Sequence, residues 1–326
     1  MTGPFVKGLF GIRRRGFEPL ISSVRGRCPG PLDERRVLKR QWKILLERRV
    51  CGKLKVVRNA PFWVVDAFVG SLGTRVLRGN AAAVVWLPEF APDEELQERA
   101  REFNLSETAF VVPLGNCEFD LRWMTPQVEV DLCGHATLAT AAALLDAEQL
   151  SQGQTAHFHT RSGILSAFVL GEQIELDFPS QDVEECAVPS QLLADLGLRS
   201  EPILFCGRAA DDWLLRVEPD ALERARPDFK KLARHDARGV IITAQSASGE
   251  TDFVSRFFAP RLGIDEDPVT GSAHTKLATF WAARLGKTHL KAAQLSERGG
   301  RLELEVRGER VGITGRCALR ARGQLC

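Results

Sequence analysis

The sequence predicts an α+β protein of two similar domains, each a curled, mostly antiparallel sheet around one central helix. Three observations carry this. After residue 60, each half holds many short apolar segments of strand length. Each half also holds one helix-length apolar segment, Leu138 to Leu145 and His274 to Leu285. Ala139 to Leu145 is apolar except for Thr140; a helix apolar all round has to be buried, and strands wrapped about it would bury it. Finally, strands and helices do not alternate strictly, as a doubly wound parallel sheet requires.

Residues 1–60 stand apart by charge. They hold 16 Lys+Arg against 4 Asp+Glu, while the remainder holds 28 against 38, so the formal net charge of +2 conceals a basic arm on an acidic body. Arg13-Arg14-Arg15, Arg25 and Arg27 lie among Gly and Pro, and disorder is expected up to about residue 32. Asp33 to Arg49 has helical spacing, with Leu38, Trp42, Leu45 and Leu46 on one face and Lys39, Arg40, Lys43 and Arg48 around them. Such a helix suits a partner's groove or an anionic surface. An Arg-rich, acid-poor start also fits an organellar transit peptide, although serine is scarce. The plain alternative is an extension without a role.

The folded body is expected from Phe62. Trp63 to Phe68 and Ala81 to Leu87 read as strands. Pro92-Asp93-Glu94-Glu95 opens a helix to Phe103, because proline and acids are favoured in a first turn. Ala109 to Pro113 and Phe119 to Met124 are strands, and a helix runs from Ala136. Ala156 to Thr160, Leu165 to Leu170 and Gln173 to Phe178 are short strands with turns between. Past a linker near Phe178-Pro179-Ser180-Gln181 the theme returns. Strands are expected at Ile203–Cys206, Trp213–Val217, Gly239–Thr243 and Asp252–Phe258, then a helix from Ser272. Strands at Lys291–Leu295, Arg301–Val306, Arg310–Thr314 and Ala318–Ala321 complete the chain. Gly134-His135-Ala136-Thr137 and Gly271-Ser272-Ala273-His274 hold equivalent places, a hint of duplication. The expected divisions are a basic, partly disordered extension (1–60), a first domain (61–180) to which the C-terminal strand can return, and a second (181–326).

Length and composition exclude several classes. With 326 residues and 44% hydrophobic content, a sufficient core needs no disulfide or metal staple. Tyrosine is absent, so no phenol serves as general acid. The eight cysteines form no C-x-x-C pair, which points away from zinc and redox motifs. No secretory signal and no apolar run near the ~18 residues of a membrane span occurs. Reduced thiols in the cytoplasm are therefore expected, with an organelle as the alternative if residues 1–60 act as a transit peptide.

Two stretches carry the chemistry. Val130-Asp131-Leu132-Cys133-Gly134-His135-Ala136-Thr137 and Asp265-Glu266-Asp267-Pro268-Val269-Thr270-Gly271-Ser272-Ala273 each place small residues at a helix start. Unpaired first-turn N–H groups and the positive end of the helix dipole bind anions there. His135 titrates near neutrality and suits proton transfer, or else caps a helix or fills a core. Asp267, held by Pro268 outside the helix, caps it, orients a donor or pairs with a base. Glu107, between an acidic helix and an apolar strand, is expected to be partly buried with a pKa raised toward the proton-transfer range; the alternative is a turn acid bonded to backbone. A racemase using two thiols needs a cysteine near Gly271 to match Cys133, and none lies between Cys206 and Cys317. His157 and His159 share a strand face but lack a third ligand at metal spacing, so no metal is expected.

From about Phe62 onward the chain resembles the phenazine-biosynthesis PhzF-like isomerases, and looks closest to their eukaryotic branch. The matching segments are Asn104-Leu105-Ser106-Glu107-Thr108-Ala109-Phe110, Leu132 to Thr137, Arg256-Phe257-Phe258-Ala259-Pro260, Glu266 to Ala273 and Gln294-Leu295-Ser296-Glu297-Arg298-Gly299-Gly300. The resemblance implies a diaminopimelate epimerase-like fold, with the site in the cleft between two related domains. It implies an isomerase that moves a proton between ring carbons of a dihydroaromatic acid without metal or cofactor. By motif, Glu107 matches the acid/base, and His135 and Asp267 match its supporting polar residues. Ser106, Gly134, Gly271 and Ser272 match positions near the substrate. One epimerase thiol position is Cys133 here, and the other falls at Pro268. The family's Phe-x-Gly-Asn-Pro motif is altered: Val69 to Leu77 looks like a longer loop, the aromatic is absent, and Arg78-Gly79-Asn80 runs into Ala81. The expected partner is a small anionic substrate, with a homodimer as a possible assembly, no nucleic acid and no integral membrane segment. A non-catalytic binding protein on this fold and an amino-acid epimerase are the alternative functions.

Overall fold

Two helices that are apolar on nearly every side dictate the layout. The computed structural model describes residues 57–326, so the expected arm helix and the expected disorder before it lie outside the described residues. The strands are β1 (Pro61–Leu72), β2 (Arg75–Leu77), β3 (Asn80–Trp86), β4 (Glu107–Gly115), β5 (Glu118–Met124), β6 (Glu129–Val130), β7 (Thr155–Thr160), β8 (Gly163–Leu170), β9 (Gln173–Pro179), β10 (Glu184–Glu185), β11 (Ile203–Ala209), β12 (Asp212–Val217), β13 (Gly239–Gln245), β14 (Phe253–Phe258), β15 (His289–Gln294), β16 (Gly300–Arg307) and β17 (Arg310–Gln324). The helices are α1 (Asp93–Phe103), α2 (Gly134–Asp146), α3 (Ser190–Asp195), α4 (Pro219–Arg224), α5 (Phe229–Leu232) and α6 (Gly271–Leu285).

Around α2 the strands close into a ring. β1 pairs antiparallel with β3, β3 parallel with β4, β4 antiparallel with β5, and β5 parallel with β7. Antiparallel pairings then run from β7 through β8 and β9 to β17, which returns to β1. Closure satisfies the backbone without leaving an edge. Inside, α2 buries residues on every side, among them Ala136, Leu138, Ala139, Ala141 and Leu144. The second wall runs antiparallel from β10 to β12, parallel to β13, antiparallel to β14, parallel to β15, then antiparallel through β16 to β17. It encloses α6, whose Leu277, Ala278, Phe280 and Trp281 are buried. Trp281 stacks on Phe253 at 5.6 Å, and its indole N–H donates to Thr243 Oγ1 at 2.9 Å. In each half the central helix is the crossover between two parallel strands, β5 to β7 and β14 to β15, as duplicated units would be.

Some expectations are corrected. Arg310–Thr314 and Ala318–Ala321 are one strand, because β17 first pairs with β16 and β9 and then continues along β1. Its Gly315 is no turn: a Cβ there would lie 2.3 Å from the Phe68 ring, so the glycine permits close packing. Val69 to Leu77 is no open loop but a hairpin of β1 with β2, pairing Gly70 with Leu77 and Leu72 with Arg75. Strands β2, β6 and β10 and helices α3 to α5 are too short to leave a periodic signal. Cys133, Cys186, Cys206, Cys317 and Cys326 are free thiols. Among the described residues no helix is long and apolar enough to cross a membrane.

Leu138 is fully buried at 0% exposure, so Leu138→Ala should lower the unfolding free energy by about 2–5 kcal/mol. Leu170, 52% exposed, should change it by less than about 0.5 kcal/mol when cut to Ala. Urea denaturation of the two variants checks the contrast.

Candidate active site

The first turns of α2 and α6 face each other where the two walls meet. A Cβ on Gly134 would lie 3.3 Å from the Phe178 ring and 3.6 Å from the Gly271 Cα, and any larger side chain would fill the seam. Neither N-cap residue, Cys133 or Thr270, lends a side-chain bond to its helix, and neither first turn contains an acid. Two positive helix ends with unpaired N–H groups thus converge on one space. Ser272, the second residue of α6, lies half-buried at its rim.

Glu107 is the first residue of β4, not a turn residue between elements, and its backbone is set by pairing opposite Ala82 of β3. Asn104 ends α1 in the left-handed conformation, and the chain turns through Ser106 into the strand. His135 sits in the first turn of α2. Its Nε2 lies 3.1 Å from Glu107 Oε2, and its Nδ1 lies 3.4 Å from Cys133 Sγ. Exposure is 9% for Glu107 and 5% for His135, so both are cut off from bulk water.

Burial opposes charge on either group, yet the pair overcomes it. Burial raises the Glu107 pKa, but the His135 ring beside it lowers it further, and the net direction is down. The expected upward shift of Glu107 is therefore reversed, because the opposite charge lies in direct contact. Burial likewise lowers the His135 pKa, but Cys133 and Glu107 outweigh it and hold the ring well above its ordinary value. The two groups form an ion pair at neutral pH. Burial, with Glu107 nearby, raises the Cys133 thiol pKa, while His135 pulls it down.

Asp267, 8% exposed, reaches the same space from the loop before α6. It does not cap that helix. Its Oδ1 accepts from Asn80 Nδ2 at 2.9 Å, and its Oδ2 accepts from the Thr270 hydroxyl. Burial pushes its carboxyl up to about 6, helped by Glu107 and opposed by His135, Thr270 and Asn80. Asn80 is the hub that sequence reasoning missed. Its amide N–H groups face Asp267 Oδ1 and, at 3.2 Å, the Val269 carbonyl. Its oxygen lies 3.0 Å from the Ser106 hydroxyl, which lies 3.4 Å from His135 Nε2. Gln294, fully buried, was missed too: it donates to the Asp267 carbonyl at 2.7 Å and accepts from the Thr270 N–H at 3.0 Å. Gln294 lay inside a segment that carries the family resemblance and Asn80 inside the altered motif, and a buried amide must find partners.

Glu107, Cys133 and His135 also offer one oxygen, sulfur and nitrogen atom within 4.8 Å of one another, the only such grouping among the described residues. His157 and His159 do not join it; they face Ser166 Oγ at 3.1 Å and Glu118 at 2.7 Å.

A buried carboxylate–imidazolium pair lies at converging helix starts, on sheet walls curled around helices, in a diaminopimelate epimerase-like fold. The sequence pattern of phenazine biosynthesis-like proteins matches residues 65–323. A Pseudomonas aeruginosa protein named an uncharacterized isomerase is 49% identical over 263 residues, 80% of this chain and 96% of its own. Mouse phenazine biosynthesis-like domain-containing protein 1 is 37% identical over 294 residues, covering 81% and 98%, so the bacterial relative is the more similar of the two. A PhzF family crystal structure from Enterococcus faecalis superposes with a TM-score of 0.75 at 40% identity, over 82% of this chain and 99% of that one. The chain belongs to the phenazine biosynthesis-like, or PhzF-like, family of isomerases.

A carboxyl whose pKa rises from 3.8 to about 6 on folding binds its proton more tightly in the native state. Stability is therefore lost as pH climbs through that interval, and the loss persists above it. Asp267→Asn removes the buried charge and should be more stable than the parent at pH 7 by about 1–3 kcal/mol, with the gap closing by about pH 4. Urea unfolding at the two pH values decides it.

Proposed function

We propose that the chain moves a proton between carbons of a small carboxylated substrate, dihydroaromatic in one version, with Glu107 as the acid/base. The observation that carries this is the Glu107–His135 pair, enclosed where two helix starts converge. His135 keeps Glu107 ionised in the free site, ready to take a carbon-bound proton. The substrate carboxylate docks on the first-turn N–H groups at Gly134 and Gly271, with Ser106 and Ser272 beside it. Its negative charge next to Glu107 pushes that carboxyl's pKa back up, toward the range in which it both accepts and returns a proton. Asp267 acts through Asn80, keeping Ser106 and the α6 loop in place. An epimerase with two thiols is disfavoured, since the second thiol's place in the motif falls at Pro268. Turnover without metal or cofactor, in the cytoplasm and by a homodimer, completes the proposal. So do lobe boundaries at 61–180 and 181–326, with the C-terminal strand in the first lobe, and contact of the basic arm with a partner or anionic surface.

Glu107→Gln should cut turnover by about 10²–10⁴-fold or more while leaving the fold intact by circular dichroism. The assay is NMR-detected deuterium uptake from heavy water into a dihydroaromatic acid; undiminished uptake by the Gln variant eliminates the role. The rate should be flat through neutral pH, falling in acid as Glu107 is protonated and in alkali as His135 loses its proton. With substrate charge raising Glu107, the acid limb of kcat should lie at higher pH than that of kcat/KM.

A further inference from the structure

Away from that site, two free cysteines face each other across a strand pair. β10 and β11 run antiparallel with Glu184 opposite Arg208 and Glu185 opposite Gly207, which brings Cys186 opposite Cys206. The Cys186 N–H donates to the Cys206 carbonyl at 3.1 Å, so they are a hydrogen-bonded cross-strand pair. Such pairs have Cα atoms about 5.5 Å apart, inside the roughly 4.4–6.8 Å span of a disulfide. Both thiols are free. Cys206 is 4% exposed and packs in the core of the second half, whereas Cys186 is half-buried between the exposed Glu185 and Ala187.

We propose that Cys186 and Cys206 are a reversible oxidation site, closing a disulfide that ties β10 to β11. β10 directly follows the segment that joins the two sheet walls. That segment is held by hydrogen bonds of Ser180 N–H to the Glu309 carbonyl, at 2.8 Å, and of the Thr279 hydroxyl to the Gln181 carbonyl, at 2.9 Å. A covalent tie would anchor its far end to the second wall.

A hydroperoxide is the oxidant. It transfers one oxygen to the accessible Cys186 sulfur, leaving an alcohol, or water from hydrogen peroxide itself, and a sulfenic acid. The Cys206 sulfur attacks that sulfur, the S–S bond forms, and water leaves with the Cys206 proton. Two thiols thereby lose two protons and two electrons, and one O–O bond is reduced. Burial and the neighbouring Cys186 push the Cys206 thiol up to about 12, which leaves the first oxidation to Cys186. The contribution from Cys186 disappears once its sulfur is oxidised.

The test treats the full chain with hydrogen peroxide, then denatures, alkylates and maps peptides by mass spectrometry. The expected product is a Cys186–Cys206 linked peptide, lighter by two hydrogens, reverted by dithiothreitol and absent from Cys186→Ser. In Cys206→Ser, dimedone should trap several-fold more sulfenic acid at Cys186 than in the parent. If the buried Cys206→Ser fails to fold, the parent and Cys186→Ser decide alone. A parent chain in which Cys206 stays alkylatable while Cys186 advances to sulfinic acid overturns the proposal, as does one in which both thiols stay untouched. Because the readout is the bond itself, its outcome is independent of the isomerase assay.

Discussion

The buried ion pair of Glu107 and His135 is the constraint on which the rest of the site depends. Removing a carboxylate and an imidazolium from water costs several kcal/mol for each ion, and their attraction repays this only with good geometry and satisfied hydrogen bonds. The pair supplies a 3.1 Å contact, although Glu107 Oε2 has no well-aligned hydrogen bond. The Nε2 side of the ring meets Glu107, the Nδ1 side meets Cys133, and Ser106 and Asn80 occupy the polar space between. A second carboxylate close by would be repelled, and Asp267 answers by holding its proton up to about pH 6 and by accepting from Asn80 and Thr270. The site is thus polar and buried, it gains the Asp267 charge as pH passes about 6, and it has two helix starts without side-chain caps.

The fold supplies this arrangement from both halves. Asn80, Ser106, Glu107 and His135 come from the ring around α2, whereas Asp267, Thr270 and Gln294 come from the wall around α6. Each central helix crosses between parallel strands in the equivalent place, so the two helix starts meet, and glycine at both allows the approach. Strand β17 is the physical link. It completes the first ring through β9 and β1 and continues the second wall through β16, so neither half closes without it. Asn80 and Arg298 add to the seam: Asn80 bonds across to Asp267 and Val269, and Arg298 bonds to the Gly79 carbonyl and pairs with Asp66.

Much of this was legible in the chain. The apolar stretches of α2 and α6, the acid-rich opening of α1 and most long strands follow from local composition and spacing, as do the glycines at the two helix starts. The strand joining Arg310 to Gln324 was not legible, because its continuity comes from successive partners while Gly315 imitates a break. The hairpin of β1 and β2 was hidden for a related reason, since its short strands lack a period. Asn80 and Gln294 stood in recognisable segments but gave no sign that they were buried and fully bonded.

By itself, the sequence determined most of the elements and the duplicated helix starts, because these rest on residue type and near-neighbour spacing, and it pointed to Glu107, His135 and Asp267 through the motifs of the family resemblance. Only the tertiary structure decided the charge states. Glu107 lies 3.1 Å from a ring on another element, and that contact outweighs the burial that would otherwise raise its pKa. Asp267 lacks such a contact and shifts the other way. Electrostatic energy depends on distance through space and on exclusion of water, and neither exists until the two walls have closed around the pair.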